Sequence, residues 1–80
     1  MKIKSVYLKA HAAGLVSHPG DTCIRSAAQY FARNKREPGD CGHDEKLLAG
    51  LAVAECELGN NYPGWILRVQ ALGVKIAGLL

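Results

Sequence analysis

Thr22-Cys23-Ile24-Arg25-Ser26-Ala27-Ala28-Gln29-Tyr30-Phe31-Ala32-Arg33-Asn34 is the stretch on which the fold turns. Ile24, Ala27, Ala28 and Phe31 stand at i, i+3, i+4 and i+7, the spacing of one apolar stripe on an α-helix. Arg25, Gln29, Arg33 and Arg36 follow at steps of four, four and three on another face. The segment therefore predicts an amphipathic helix with one side on a core and the other in water. Ser17-His18-Pro19-Gly20-Asp21 before it reads as a turn, with Asp21 or Thr22 available as a cap. Beyond it, Pro38, Gly39 and Gly42 require the helix to stop.

Upstream, Ile3, Tyr7, Ala10 and Ala13 repeat at helical spacing, predicting a helix from about Ile3 to Val16. Lys2 to Leu8 also admits a short strand, because Val6, Tyr7 and Leu8 favour strands. Downstream, Asp44 and Glu45 predict the start of a third helix, with Leu47, Leu48, Leu51, Ala54 and Leu58 as its buried face. Gly59-Asn60-Asn61 ends it. Tyr62-Pro63-Gly64 leads into a fourth helix, from about Gly64 to Leu79. Its Trp65, Val69, Leu72 and Ile76 form a four-three-four seam suited to a helix–helix contact. Gly73 and Gly78 weaken that helix or allow a partner helix close approach. Tyr62 and Trp65 read as a staple fixing the entry angle, or else as an interface anchor.

These elements predict an all-α fold, a compact bundle of about four short helices over residues 1–80 as one domain. The 49% hydrophobic content argues against disorder. Lys9 and His11 break the N-terminal apolar stretch before it reaches signal-peptide length. Arg68, Gln70 and Lys75 interrupt the segment from Pro63 to Leu80, which is also shorter than the roughly 20 residues a membrane span needs. The expectation is a cytoplasmic protein with no membrane partner, a monomer or small homo-oligomer.

Net charge is only +3, yet it conceals a segregation. Residues 1–36 hold seven basic side chains (Lys2, Lys4, Lys9, Arg25, Arg33, Lys35 and Arg36) against Asp21, hence +6. Residues 37–62 hold six acidic ones (Glu37, Asp40, Asp44, Glu45, Glu55 and Glu57) against Lys46, hence −5. An uneven field steers association with a partner of complementary charge. The basic set is one candidate partner-binding patch and the acidic set is the alternative. Internal neutralisation of one set by the other is the plain reading.

Chemical sites are sparser. Three cysteines, Cys23, Cys41 and Cys56, leave no complete disulfide framework and favour reduced thiols. His18, Cys23, Cys41 and His43 are a weak candidate zinc set, since His-x4-Cys and Cys-x-His match no common finger or ribbon. A Cys23–Cys41 disulfide is the competing use of the same residues. Cys41 and His43 lack a third group to orient the imidazole for nucleophilic catalysis. The acids stand at helix ends, where capping explains them. No cofactor is called for, and the expectation is a non-enzymatic protein.

The first two helices and the basic stripe loosely suggest a helix-turn-helix, but the connection is longer than the three or four residues such motifs use. In size, charge and lack of chemical motifs, the chain resembles the small inhibitors that phages direct at host nucleoprotein complexes, the anti-CRISPR proteins among them. That resemblance carries over no individual residue. It implies a protein or nucleoprotein partner, and occlusion of a surface that binds nucleic acid or recruits a nuclease. The alternatives are a small nucleic-acid-binding protein using the same basic residues, and a structural subunit held by the Trp65–Ile76 seam.

Overall fold

Among the described residues, four helices follow from the apolar periodicity. They are α1 (Ile3–Ala12), α2 (Asp21–Arg36), α3 (Glu45–Leu58) and α4 (Trp65–Ala77). The computed structural model describes residues 2–17, 20–36, 45–59 and 62–80, and of Asp21, Asn34, Lys35 and Arg36 the backbone alone. The fold is all-α, and the N-terminal segment is a helix, not the alternative strand. Ile3, Val6, Tyr7 and Ala10 give α1 a buried stripe at helical spacing. A strand would have turned Val6 and Tyr7 to opposite faces.

α1 ends four residues sooner than its composition suggests. Gly14 takes φ +76°, its N–H bonds the His11 carbonyl at 3.0 Å, and the Leu15 N–H bonds the Ala10 carbonyl at 2.9 Å. This pair of bonds is the Schellman arrangement, in which a left-handed glycine satisfies the orphan carbonyls of the last turn. Ala13 is consequently exposed, while Val16 returns to the core. Gly59 stops α3 by a related device, with φ +76° and its N–H on the Glu55 carbonyl at 2.9 Å. Tyr62-Pro63-Gly64-Trp65 closes a turn through Trp65 N–H to Tyr62 O at 3.2 Å. Gly64 takes φ 79° and ψ 9°, the values a type II turn demands at its third position after proline.

α2 follows the expected stripe, with Ala27 and Phe31 buried and Ile24 and Ala28 half-buried. It starts one residue before Thr22 and continues two past Asn34. The Gly20 carbonyl accepts the first helical bond, from Ile24 N–H at 3.0 Å, so Gly20 occupies the capping position in place of Asp21 or Thr22.

α3 is the axis of the bundle. It packs most extensively on α4, then on α2, and α1 lies across α2 and α3. Because neighbours cover it on three sides, its deepest residues are small: Ala49, Ala52, Val53 and Ala54 are all but fully enclosed. Of the five residues expected to form its buried face, Leu48 and Ala54 are buried, whereas Leu47, Leu51 and Leu58 are half-buried at its margins. At the α3–α4 crossing the two backbones nearly touch. A methyl group on Gly50 would fall on the Gly73 carbonyl oxygen, and one on Gly73 would stand 2.7 Å from Leu51 Cδ2. Gly73 thus does allow close approach of a helix, from within the same chain. Gly78 meets only the carbonyls of its own last turn. The four-three-four seam is likewise spent inside the bundle, with Val69 and Ile76 buried and Trp65 and Leu72 packed against the core. Among the described residues, no helix is long and apolar enough to cross a membrane.

Candidate functional site

The amphipathic face of α2 and the small residues of α3 leave a cleft between the two helices. It encloses about 350 Å³ and is lined by Ser26, Ala27, Gln29, Tyr30 and Arg33 from α2 and by Ala52, Glu55 and Cys56 from α3. On the α2 side these residues occupy two helical turns, so the cleft runs along the helix. Its wall mixes polar and apolar groups: Ser26, Gln29 and Arg33 are exposed beside Ala27, Tyr30 and Ala52, and the Arg33 guanidinium carbon lies 5.9 Å from the centre of the Tyr30 ring. A cation at that range draws modest attraction from the ring and is held near one orientation.

The basic residues fall on two helices. Lys2 (just before the helix), Lys4 and Lys9 are exposed on α1, and Arg25 and Arg33 are exposed on α2, Arg33 at the cleft. Lys35 and Arg36 belong to the last turn of α2, with side chains outside the description. Arg25, Gln29 and Arg33 stand at i, i+4 and i+8, spanning about 12 Å along the helix at 1.5 Å per residue. Among the described residues, the acidic Glu45, Glu55 and Glu57 do not gather on one face. Glu55 and Arg33 line the same cleft, one from each of the two charge sets that separate along the chain. Glu57 is engaged elsewhere: the Ser17 N–H and hydroxyl donate to its Oε1 at 2.8 Å and its Oε2 at 3.0 Å. That fork fastens the segment after α1 to the end of α3. Glu45 opens α3, half-buried, in the first turn where a carboxylate meets the positive end of the helix. Glu37, Asp40 and Asp44 lie outside the described residues.

Cys56, at the edge of the cleft, belongs to a cluster that no motif announced. The Cys56 thiol donates to the Cys23 carbonyl at 2.9 Å, and the Cys23 thiol lies 3.6 Å from the Cys56 carbonyl. Both cysteines are free and half-buried. The hydroxyl of Tyr7, an almost wholly enclosed residue of α1, hydrogen-bonds the Cys56 sulfur. Burial, followed by the hydrogen bond with Cys23, pushes the Cys56 thiol up to about 12, and the Tyr7 hydroxyl tempers that rise. Burial also pushes Tyr7 above its ordinary value, with Cys56 adding to the effect. The Cys56 thiol and the Tyr7 phenol are thus held protonated where three helices meet.

His18, Cys41 and His43, and with Cys41 the Cys23–Cys41 disulfide, lie outside the described residues. Among the described residues, no three histidine, cysteine or acidic side chains come together as a metal site. Cys23 faces Cys56, a residue whose place in this cluster no motif announced. The signal available was geometric: Cys23 is on the margin of the α2 stripe, and Cys56 follows two positions after Ala54 on a helix covered from several sides. A second polar feature lies at the entry to α4. Arg68 places its guanidinium carbon 5.7 Å from the Tyr62 ring centre, and the Tyr62 hydroxyl is buried without a hydrogen-bond partner among the described residues. Comparison of the chain with protein-family models, with curated proteins and with solved structures finds no match.

Proposed function

We propose that this chain is a non-enzymatic binding protein that docks an acidic surface of a larger partner on the outer face of α2. The observation that carries the reading is the alignment of Arg25, Gln29 and Arg33 in one exposed row beside the cleft. Arginines so placed make charge-assisted, bidentate hydrogen bonds to carboxylates, and arginine and tyrosine are over-represented among residues that dominate binding energy. Tyr30, half-buried in the cleft wall, supplies the apolar part of such a contact. Lys4 and Lys9 on α1 extend the positive field that steers the approach. The partner class favoured by the likeness to phage-encoded inhibitors is a nucleoprotein complex, whose surface this small domain would occlude.

Direct nucleic-acid binding would draw on the same residues, but α1 and α2 are separated by residues 13–20, too long a connection for a helix-turn-helix. The test is affinity capture from host extract with and without nuclease, comparing the native chain with Arg25→Glu/Arg33→Glu. Capture of one defined complex that survives nuclease and is lost in the variant supports the reading. Equal capture by both chains overturns it. Retardation of duplex DNA at low salt, fading steeply as salt rises, transfers the basic face to the nucleic-acid alternative.

A further inference from the structure

We propose that Cys23 and Cys56 are a reversible disulfide pair joining α2 to α3, closed by exchange with a low-molecular-weight disulfide. The pair is reciprocal, with the Cys56 sulfur 2.9 Å from the Cys23 carbonyl and the Cys23 sulfur 3.6 Å from the Cys56 carbonyl. Each sulfur lies against the backbone of the other cysteine on the facing helix, and a disulfide between two helices requires such proximity. Access is provided as well. Cys56 lines the cleft between α2 and α3, whose volume of about 350 Å³ admits part of a small thiol reagent. Both residues are only partly buried, unlike the all but fully enclosed Ala52 and Val53 beside them on α3.

Little is lost when the thiol hydrogens leave. Cys23 is in the first turn of α2, where its carbonyl already serves the helical ladder of that helix. Cys56 is in the last turn of α3, where carbonyls lack partners within the helix and can turn to water. The Tyr7 hydroxyl at the Cys56 sulfur favours the thiolate during exchange. Burial acts the other way, so closure is slow near neutral pH and quickens as pH rises.

The step balances with glutathione disulfide as oxidant. One protein thiolate attacks a glutathione sulfur, forming a mixed disulfide as the glutathione S–S bond breaks and one glutathione thiolate leaves. The facing cysteine thiolate then attacks the protein-side sulfur of that mixed disulfide and expels the second glutathione. The protein loses two electrons, glutathione disulfide gains them, and the two thiol protons end on the two glutathione thiols. The new bond closes a loop between positions 33 apart, a length at which a cross-link substantially restricts the unfolded chain.

The experiment treats the reduced full-length chain anaerobically with glutathione disulfide, quenches with acid, and maps peptides without reduction. The expected product is lighter by two hydrogens, carries one Cys23–Cys56 linked peptide, and melts roughly 10–20 °C above the reduced chain. Dithiothreitol reverses both changes. Cys41→Ser behaves like the native chain, whereas Cys23→Ser stops at a stable glutathione adduct on Cys56. A linkage running to Cys41, persistent glutathione on the native pair, or thiols that stay unmodified while folded overturns the proposal.

Discussion

The Cys56 thiol donates to the carbonyl oxygen of Cys23 across the α2–α3 interface at 2.9 Å, and burial of this thiol ties the ionisation of the bundle to its stability. Cys56 in the folded chain loses its proton only near pH 12, whereas an unperturbed thiol does so near 9.0. The folded-state value lies above the unfolded one, so the stabilisation is complete below about pH 9. It is lost progressively as pH rises toward 12. Urea midpoints of the reduced chain should be flat from neutrality to about pH 9. Above it they should fall, with a limiting slope of about 1.4 kcal/mol per pH unit for one group. Tyr7, also held above its ordinary value, steepens the fall beyond about pH 10. Cys56→Ala should flatten the decline between about pH 9 and 10, and an unchanged profile there would discount the buried thiol as its source.

Tyr7→Phe separates the ring of Tyr7 from its hydroxyl. The ring fills the centre of the core and stays; the hydroxyl bond to Cys56 is lost. The expected cost is about 0.5–1.5 kcal/mol by chemical denaturation. Tyr7→Ala should cost several times as much, because it also leaves a cavity.

The Gly50–Gly73 crossing makes a sharper claim. Gly50→Ala places a methyl group on the Gly73 carbonyl, a backbone atom that cannot rotate away, so α3 and α4 must separate. A loss of about 1–3 kcal/mol or more is expected. Gly78→Ala is the control: its neighbours lie at ordinary contact distance and its φ is −65°. It should be neutral or gain about 0.4–1 kcal/mol by reducing the freedom of the unfolded chain. Thermal midpoints moving together in both variants would contradict the close crossing.

Two faces of α4 should respond in opposite ways. Ile76 is fully enclosed against the core, while Leu67 is 72% exposed. Ile76→Ala should cost about 2–5 kcal/mol. Leu67→Ala should stay within about 0.5 kcal/mol. Comparable losses in both would mean that the outer face of α4 is covered in solution, and light scattering would then report a mass above the monomer.

Much of the architecture is legible in local residue patterns. The α2 stripe of Ile24, Ala27, Ala28 and Phe31, the glycine stop at Gly59 and the seam of α4 are written in spacings of three and four, because a helix repeats every 3.6 residues. The stop at Ala13-Gly14 was present too, but the alanines around it favour helix and mask it. The α2 row of Arg25, Gln29 and Arg33 was readable for the same reason. Glu57 gave no such sign, since its partner Ser17 is 40 residues away.

What the linear chain determines is the number of helices, their approximate bounds and which face of α2 meets water. These depend on neighbours within two turns, whose geometry the backbone sets. Only the tertiary structure decides that α3 is the enclosed axis, that Gly50 faces Gly73, that Glu55 and Arg33 line the same cleft, and that the Cys56 thiol reaches the Cys23 carbonyl. Each of these depends on how one helix is rotated and shifted against another. That choice is made by the summed packing of many side chains, and no short-range pattern encodes it.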